Sequence, residues 1–532
     1  MNAKISLDSV VKIVNIVFLI VLQHFMPDSG MGFLAVSLII FYALYSILFS
    51  GLHAGIAKMV AVRNSKGLNG NSRRIVKPAL LYVVLTGILV TGLLFLGLQI
   101  VTSTLFRVNY PIPIIMILCV FLILNGICDV LCGYHSGNGT TEVVNGIYLI
   151  KSFVPILLSL FVIRMFTEYG NKIATLLNND MVIGAYAAMG VAFVYVGTAV
   201  IACIILVLLT IYTRKYTKIE KTVRGIDSKK MVIGGFANFN IRIMMNHIFG
   251  VVSLIISVLC YLNSVIKTEL PIADAYRNVG IIFTRVLLPI LFVFVLFAEY
   301  IAKEKSRLHT DYRRDEYKMI VTRTQYLIKN TVFMLIPPTM ILTFLSTSVA
   351  KVLFKGQSEL ASSYLKTGGC ILLLAGLAFA LCNICSAYDK EKRVWLVQGV
   401  ALVSQVIFLL AGFSTKAGDS MLILYSFYLY FGIQIVLLMV IIYGTARVDL
   451  LDILLKIGKY GVAGIIMMVL YMILEKFLTM NILLLFLSVF LGYLLYYLTL
   501  LALHGISKKD EAALKRTLNY YPVHFLRSRL RL

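Results

Sequence analysis

Residues 182–212, VIGAYAAMGVAFVYVGTAVIACIILVLLTIY, form a run of 31 residues without one charged side chain. A helix needs about 20 predominantly apolar residues to cross the hydrocarbon core of a bilayer. The run therefore predicts a transmembrane helix with one end that projects beyond the membrane. It ends just before a basic cluster that begins at Arg214 and Lys215. An apolar run closed by cations recurs along the whole chain, and this pattern decides the fold.

Fourteen such runs predict an all-α, polytopic membrane protein. The composition agrees, because 60% of the 532 residues are apolar and only 14% are charged, whereas soluble domains carry about 25% charged residues. The predicted spans are 6–25, 32–62, 78–103, 112–132, 142–166, 182–212, 231–262, 272–299, 325–350, 366–387, 394–412, 420–445, 456–474 and 481–505. This composition leaves no room for a large soluble domain.

The positions of the cations predict the orientation in the membrane. Basic residues cluster in alternate connections, at 63–77, 214–230 and 303–323, and in the tail at 506–532. Lysine and arginine are enriched in cytoplasmic loops, so we expect both termini in the cytoplasm and the tail on anionic inner-leaflet lipids. The basic residues of the predicted cytoplasmic loops and tail then account for the formal net charge of +25. Binding of nucleic acid would need a folded basic face, and we do not expect it.

An internal repeat divides the chain. Ile56-Ala57-Lys58 precedes a basic loop and an apolar span, and Ile301-Ala302-Lys303 does the same 245 residues later. The offset covers six spans, an even number, so it predicts a parallel repeat of two lobes that enclose a substrate. The predicted domains are an N-terminal six-helix lobe at 1–212, a basic cytoplasmic linker at 213–230, a second six-helix lobe at 231–445, helices 13 and 14 at 446–505, and a basic amphipathic cytoplasmic tail at 506–532.

The cysteines and acids do not form the patterns of an enzyme or a metal site. All eight cysteines lie in or beside apolar runs, so we predict buried thiols and no disulfide framework. Cys382 and Cys385 form a C-x-x-C without a second pair, whereas a zinc site needs about four ligands. No H-E-x-x-H, D-x-D or Walker loop occurs. We predict no catalytic residues, no metal and no cofactor, and a multispan membrane transferase is the weaker alternative.

The most specific motif is Ser50–Ala61, SGLHAGIAKMVA. It resembles the second-helix motif Gly-Leu-Pro-x-x-Ile-Ser-Lys-x-Val-Ala-Glu of proteins similar to stage V sporulation protein B. These belong to the polysaccharide-transporter and lipid II flippase branches of the multidrug/oligosaccharidyl-lipid/polysaccharide exporter (MOP) superfamily. His53 stands in place of the family proline, and Val62 in place of its glutamate. Residues 133–137, GYHSG, are similar to a family Gly-Tyr-x-Gln-Gly, with Ser136 in place of glutamine.

The resemblance implies a flippase of the plasma membrane. Its cargo would be a polyprenyl-pyrophosphate-linked saccharide, a precursor of cell wall or surface polysaccharide, carried from the inner to the outer leaflet. The coupling ion, Na+ or H+, stays open, and we expect a monomer. The alternative is a cation-coupled multidrug exporter of the same superfamily. Such an exporter would place acids in its cavity, whereas the intramembrane charges of this chain are mostly basic.

Two arginines in one span are the leading candidates for substrate binding. A charge inside a span costs about 2.5–3.5 kcal/mol on insertion scales, so each one needs a reason. Arg285 and Arg277 lie eight residues apart in span 272–299, roughly on one helix face. A guanidinium binds phosphate oxygens in pairs, which suits a pyrophosphate. The alternative is a structural pair with Asp274, three residues before Arg277.

The other candidate cations are spread over three helices. The stretch around Asn238-Phe239-Asn240 is unusually polar and predicts a cavity wall; the alternative is a projecting helix end. For cations near a membrane interface the alternative is snorkelling of the side chain. The candidate cations are Lys12 in the first span, Lys58 in the second, and Arg242 in this polar stretch. Asn246 and His53 are in supporting positions. Lys151 and Asp129 lie in neighbouring spans and are predicted to pair.

Overall fold

The computed structural model describes residues 7–67, 69–101, 108–216, 229–354, 358–477 and 481–505. The predicted tail at 506–532 and most of the predicted linker at 213–230 lie outside the described residues. Every regular element in the described ranges is a helix, because internal hydrogen bonds are how an apolar chain satisfies its backbone in lipid. The all-α, polytopic prediction is confirmed.

Nineteen α-helices and one π-helical segment are described. They are α1 Leu7–Leu22, α2 Asp28–Leu48, α3 Leu52–Ser65, α4 Asn69–Arg74, α5 Val76–Val101, α6 Pro111–Gly137, α7 Thr141–Leu177, α8 Met181–Tyr216, α9 Lys229–Val265, α10 Ile272–Ile281, the π segment Ile282–Leu287, α11 Leu288–Arg313, α12 Tyr317–Phe344, α13 Ser346–Leu353, α14 Ser358–Gly368, α15 Ile371–Ala387, α16 Glu391–Thr415, α17 Met421–Ala446, α18 Leu450–Phe477 and α19 Ile482–Ala502.

Thirteen helices within the described ranges are long and apolar enough to cross a membrane. They correspond to the second to fourteenth predicted spans. The first predicted span is the shorter helix α1, with 16 residues. The second predicted span, 32–62, is broken at Phe49–Gly51 into α2 and α3. The eighth contains the π segment, an irregularity that is frequent at functional sites.

The chain forms two compact units. The N-unit comprises Val17–Thr284 and Val406–Ile423, and the C-unit comprises Met1–Ile16, Arg285–Gln405 and Leu424–Leu532.

In the N-unit, α2 packs closely against α8 and α10. Gly30 of α2 meets Gly184 of α8, and Gly32 meets the Tyr276 backbone of α10. A side chain at either glycine would clash with backbone atoms, so these small residues bring the three helices together. The Phe33 ring then lies 4.6 Å from the Tyr276 ring, centroid to centroid.

In the C-unit, charged groups hold α18 and α19 against α12 and α13. The Lys329 ammonium of α12 forms an ion pair with Asp452 of α18. Near the opposite end of α18, the Glu475 carboxylate accepts a hydrogen bond from the Thr347 backbone N–H, 3.0 Å away at the start of α13. The Tyr496 hydroxyl of α19 donates to a backbone carbonyl of α12 at 3.2 Å. The last two helices are therefore integral to the C-unit.

Candidate functional site

Arg285 lies inside the π segment and is 1% exposed, one of the largest fully buried side chains in the described structure. Its guanidinium carbon lies 6.0 Å from the centroid of the Phe354 ring, within the range of a cation–π contact. The next residue, Val286, packs against Gly368 of α14. Arg285 is therefore shielded from solvent within the C-unit.

Arg277 differs from Arg285 in its surroundings. It lies on α10 in the N-unit and forms the predicted ion pair with Asp274, with 3.6 Å between Nη1 and Oδ1. The side chains of Arg277 and Asp274 are 34% and 45% exposed. A pair this open contributes little to stability, and both groups remain accessible to solvent. Arg277 is thus accessible to solvent, whereas Arg285, eight residues later, is buried.

Lys58 and Arg242 lie on two packed helices of the N-unit, and together we call them the α3–α9 cationic face. Both side chains are exposed. The Lys58 Nζ lies 5.8 Å from the centroid of the Phe239 ring, and that ring also contacts α3 at Gly55. Arg242 follows Phe239 by three residues and so lies on the same side of α9. The face therefore carries two exposed cations, with the Phe239 ring beside Lys58.

Two further candidates lie near different helices. Lys12 is exposed on α1, in the part of α1 that belongs to the C-unit. One turn earlier, the Ser9 hydroxyl donates to the Glu299 carboxylate of α11 at 2.8 Å, which ties this end of α1 to α11. Asn246 is half-buried, one turn after Arg242 on α9. It thus extends the polar side of α9 beyond the cationic face.

Asn240 does not line a cavity wall, and for this residue the prediction was wrong. Its side chain is 4% exposed and fills the break between α2 and α3. The amide nitrogen donates to the carbonyls of Ile47 at 2.9 Å and Leu48 at 3.1 Å, and the amide oxygen accepts from the Gly51 N–H at 2.7 Å. One side chain thus satisfies three backbone groups that a helix break leaves without partners.

A second polar cluster joins α2, α6 and α7. The Lys151 ammonium donates to the Asn125 amide oxygen at 2.8 Å, and the Asn125 amide nitrogen donates to Asp129 Oδ2 at 3.4 Å. The Tyr45 hydroxyl donates to the same carboxylate oxygen at 2.8 Å. Asn125 therefore bridges Lys151 and Asp129, in place of the direct pair that the sequence predicts.

His53 lies beside this cluster, on the first turn of α3. Its Nε2 is 3.0 Å from the Ser136 hydroxyl of α6, and its Nδ1 is 3.2 Å from the Tyr148 hydroxyl of α7. All three side chains are half-buried. Nothing in the sequence indicated these contacts, because they join residues 83 and 95 positions apart.

All eight cysteines are free thiols. Four of them are buried, as predicted, and four are partly exposed, namely Cys203, Cys260, Cys370 and Cys382. The closest pair is Cys128 and Cys203, with 3.2 Å between the sulfur atoms. Within the described ranges, no group of three or more histidine, cysteine, aspartate and glutamate side chains is placed to hold a metal ion.

Several solved transporters have a similar fold. An inward-facing multidrug resistance MATE family transporter of the MOP superfamily has a TM-score of 0.62 at 14% identity, with 81% of this chain and 92% of that chain covered. Lipid II flippase MurJ, in an inward closed conformation, has a TM-score of 0.62 at 13% identity, with 93% and 96% covered. A MOP superfamily transporter from Pyrococcus furiosus Vc1 has a TM-score of 0.52 at 13% identity, with 81% and 92% covered.

No protein-family model and no curated protein matches the sequence. At identities of 13–14% the likeness to solved structures concerns the fold. The resemblance to the superfamily is confirmed at that level, and the polysaccharide-transporter branch stays a prediction. This chain is a multipass membrane protein with the fold of the MOP-superfamily transporters.

Proposed function

We propose that this protein is a flippase that moves a polyprenyl-pyrophosphate-linked saccharide across the plasma membrane. Alternating access of two lobes around a cationic cavity would carry the head group, and the polyprenyl tail would stay in lipid. The observation that carries the proposal is the α3–α9 cationic face, Lys58 and Arg242. Arg277, Arg285 and Lys12 remain predicted candidates for contact with the head group.

Two exposed cations on membrane-spanning helices need a polar environment. Arg242 lies 13 residues into α9, about 20 Å along the helix axis at 1.5 Å per residue. A charged side chain at bilayer depth normally faces a water-filled cavity or a partner. A pyrophosphate with its saccharide must cross about 30 Å of hydrocarbon. Fixed cations in a hydrated cavity would offset the loss of water around that head group.

The extent of structural similarity also supports a flippase. The MurJ flippase covers 93% of this chain, whereas the MATE multidrug transporter covers 81%. The difference of 12 percentage points is comparable to the last two helices, α18 and α19, with 28 and 21 residues. The likeness in fold to MurJ thus includes almost the whole of both chains.

The test is a flipping assay with the full-length protein in vesicles that contain a fluorescent polyprenyl-pyrophosphate-linked saccharide. We expect the double variant Lys58→Ala/Arg242→Ala to flip at least tenfold more slowly, since each charge-assisted hydrogen bond to phosphate is worth about 1.5–3 kcal/mol. Lys416→Ala is the matched control, because Lys416 is an exposed cation at the end of α16, remote in sequence from α3 and α9. Equal rates for the double variant and the wild type would remove the cationic face from the mechanism.

The multidrug exporter is distinguished in cells by depletion of the protein. A flippase leaves lipid-linked saccharide precursors in the inner leaflet, where a membrane-impermeant modifying reagent cannot reach them. An exporter leaves precursor distribution unchanged and makes cells hypersensitive to cationic drugs. The second result would replace the proposal with the exporter.

A further inference from the structure

Two of the departures from the family motifs contact one another. His53 stands where the family has proline and Ser136 where it has glutamine, and the His53 Nε2 lies 3.0 Å from the Ser136 hydroxyl. The second imidazole nitrogen, Nδ1, lies 3.2 Å from the Tyr148 hydroxyl. Two positions that differ from the pattern have therefore combined into one hydrogen-bonded site.

The partners of His53 suit both of its protonation states. Neutral imidazole has one N–H donor and one acceptor nitrogen, whereas imidazolium has two donors. A hydroxyl can donate or accept, so Ser136 and Tyr148 can match either state by turning their O–H bonds. Both hydroxyls can thus remain bonded to the imidazole when it gains or loses a proton.

The neighbouring helices α6, α7 and α2 carry titratable groups beside this site. On α6, the Asp129 carboxylate interacts electrostatically with His53. On α7, the Lys151 ammonium is joined to the same carboxylate through hydrogen bonds of the Asn125 amide. On α2, the Tyr45 hydroxyl holds Asp129 in place.

Side chains of α9 and α4 also lie against α3. From α9, Asn240, Phe239 and Phe236 lie nearest to Gly51 and Gly55, and none of these three side chains titrates. The short helix α4 meets α3 about three turns later, where the Ser72 hydroxyl donates to Asn64. His53 itself is half-buried, so water can deliver the proton.

We infer that His53 is a proton-binding site through which transport responds to pH. Histidine ordinarily changes charge between about pH 5 and 8. Binding of a proton by His53 adds one positive charge to the cluster that it forms with Asp129 and Lys151. This inference rests on the proposed function in one respect: an added positive charge in the N-unit favours an anionic cargo, and loss of the proton favours its release.

The first experiment needs no cargo, so it can fail independently of the proposed function. NMR of histidine-labelled full-length protein in nanodiscs follows the ring signals against pH. We expect one signal that titrates between about pH 5 and 8, is lost in His53→Gln, and shifts its midpoint in Tyr148→Phe. His24→Gln is the matched control, since His24 is an exposed histidine whose Nδ1 lies 3.2 Å from the Val21 carbonyl, three residues earlier. A His53 signal that stays constant over this range overturns the inference.

The second experiment measures flipping against pH. A single titrating group predicts a change of about tenfold over the two pH units that bracket its midpoint. We expect this dependence in the wild type and His24→Gln, and a flat profile in His53→Gln. Titration of His53 without flipping of the lipid-linked saccharide would refute the proposed function and leave the proton site intact. A wild-type pH profile in His53→Gln would refute the inference.

Discussion

Asn240 allows the sharpest quantitative prediction from the structure. Replacing it with alanine removes the partners of the Ile47 carbonyl, the Leu48 carbonyl and the Gly51 N–H. An unsatisfied buried polar group costs about 1–3 kcal/mol. Water that enters the vacated space would satisfy part of the set, so we expect local destabilisation of about 2–4 kcal/mol.

Hydrogen exchange measured by mass spectrometry reports this change directly. Since about 1.4 kcal/mol corresponds to a factor of ten, Asn240→Ala should accelerate exchange in peptides around residues 47–55 by about 30- to 700-fold. The matched control is Asn263→Ala on the same helix, where the amide donates to the Leu259 carbonyl one turn away. Exchange within a factor of about two of wild type in Asn240→Ala would show that the α2–α3 break does not depend on this clamp.

Two further predictions concern packing and charge. Gly32→Ala should destabilise the protein by about 1–3 kcal/mol, because the new methyl group would collide with the Tyr276 carbonyl. The control is Gly92→Ala, where nothing lies within 4 Å of the added methyl group. Equal melting temperatures for the two variants would contradict the close approach of α2 and α10. Asp452→Asn should lower the melting temperature more than Lys329→Met, because the Lys329 side chain is 9% exposed and would lose its counter-ion inside the protein, whereas the Asp452 side chain is 43% exposed; the reverse order would refute this account.

The membrane spans were predictable because their signal is local. Each span after the first matches a described apolar helix, since hydrocarbon thickness fixes the number of apolar residues needed. The break at Phe49–Gly51 was not predictable from hydropathy, because it lies within a run from Ser29 to Ala57 that contains no charged residue. Gly51 permits the break, since a Cβ there would come within 2.6 Å of the Asn240 backbone. The partner that stabilises it comes from 189 residues away.

The candidate site was predictable only as a set of residue types. The cost of a charge in a span identifies Arg285, Arg277 and Arg242 as unusual. It does not distinguish a fully buried guanidinium such as Arg285 from an exposed one such as Arg242, because that difference depends on which helices pack around each residue. The pair of Arg277 and Asp274 was predictable, since its spacing of three residues on one helix already fixes the contact.

The break between α2 and α3 connects these observations within the N-unit. Tyr45, which bonds Asp129, lies four residues before Phe49, where the break begins, and His53, which bonds Ser136 and Tyr148, lies two residues after Gly51, where it ends. A continuous helix through these positions would fix the two side chains at the separation set by 3.6 residues per turn. The break frees that constraint, so one segment can reach the carboxylate on α6 with one side chain and hydroxyls on α6 and α7 with the other. Because Asn240 satisfies the backbone groups at the break, we conclude that α9 stabilises the geometry in which the proposed proton site exists.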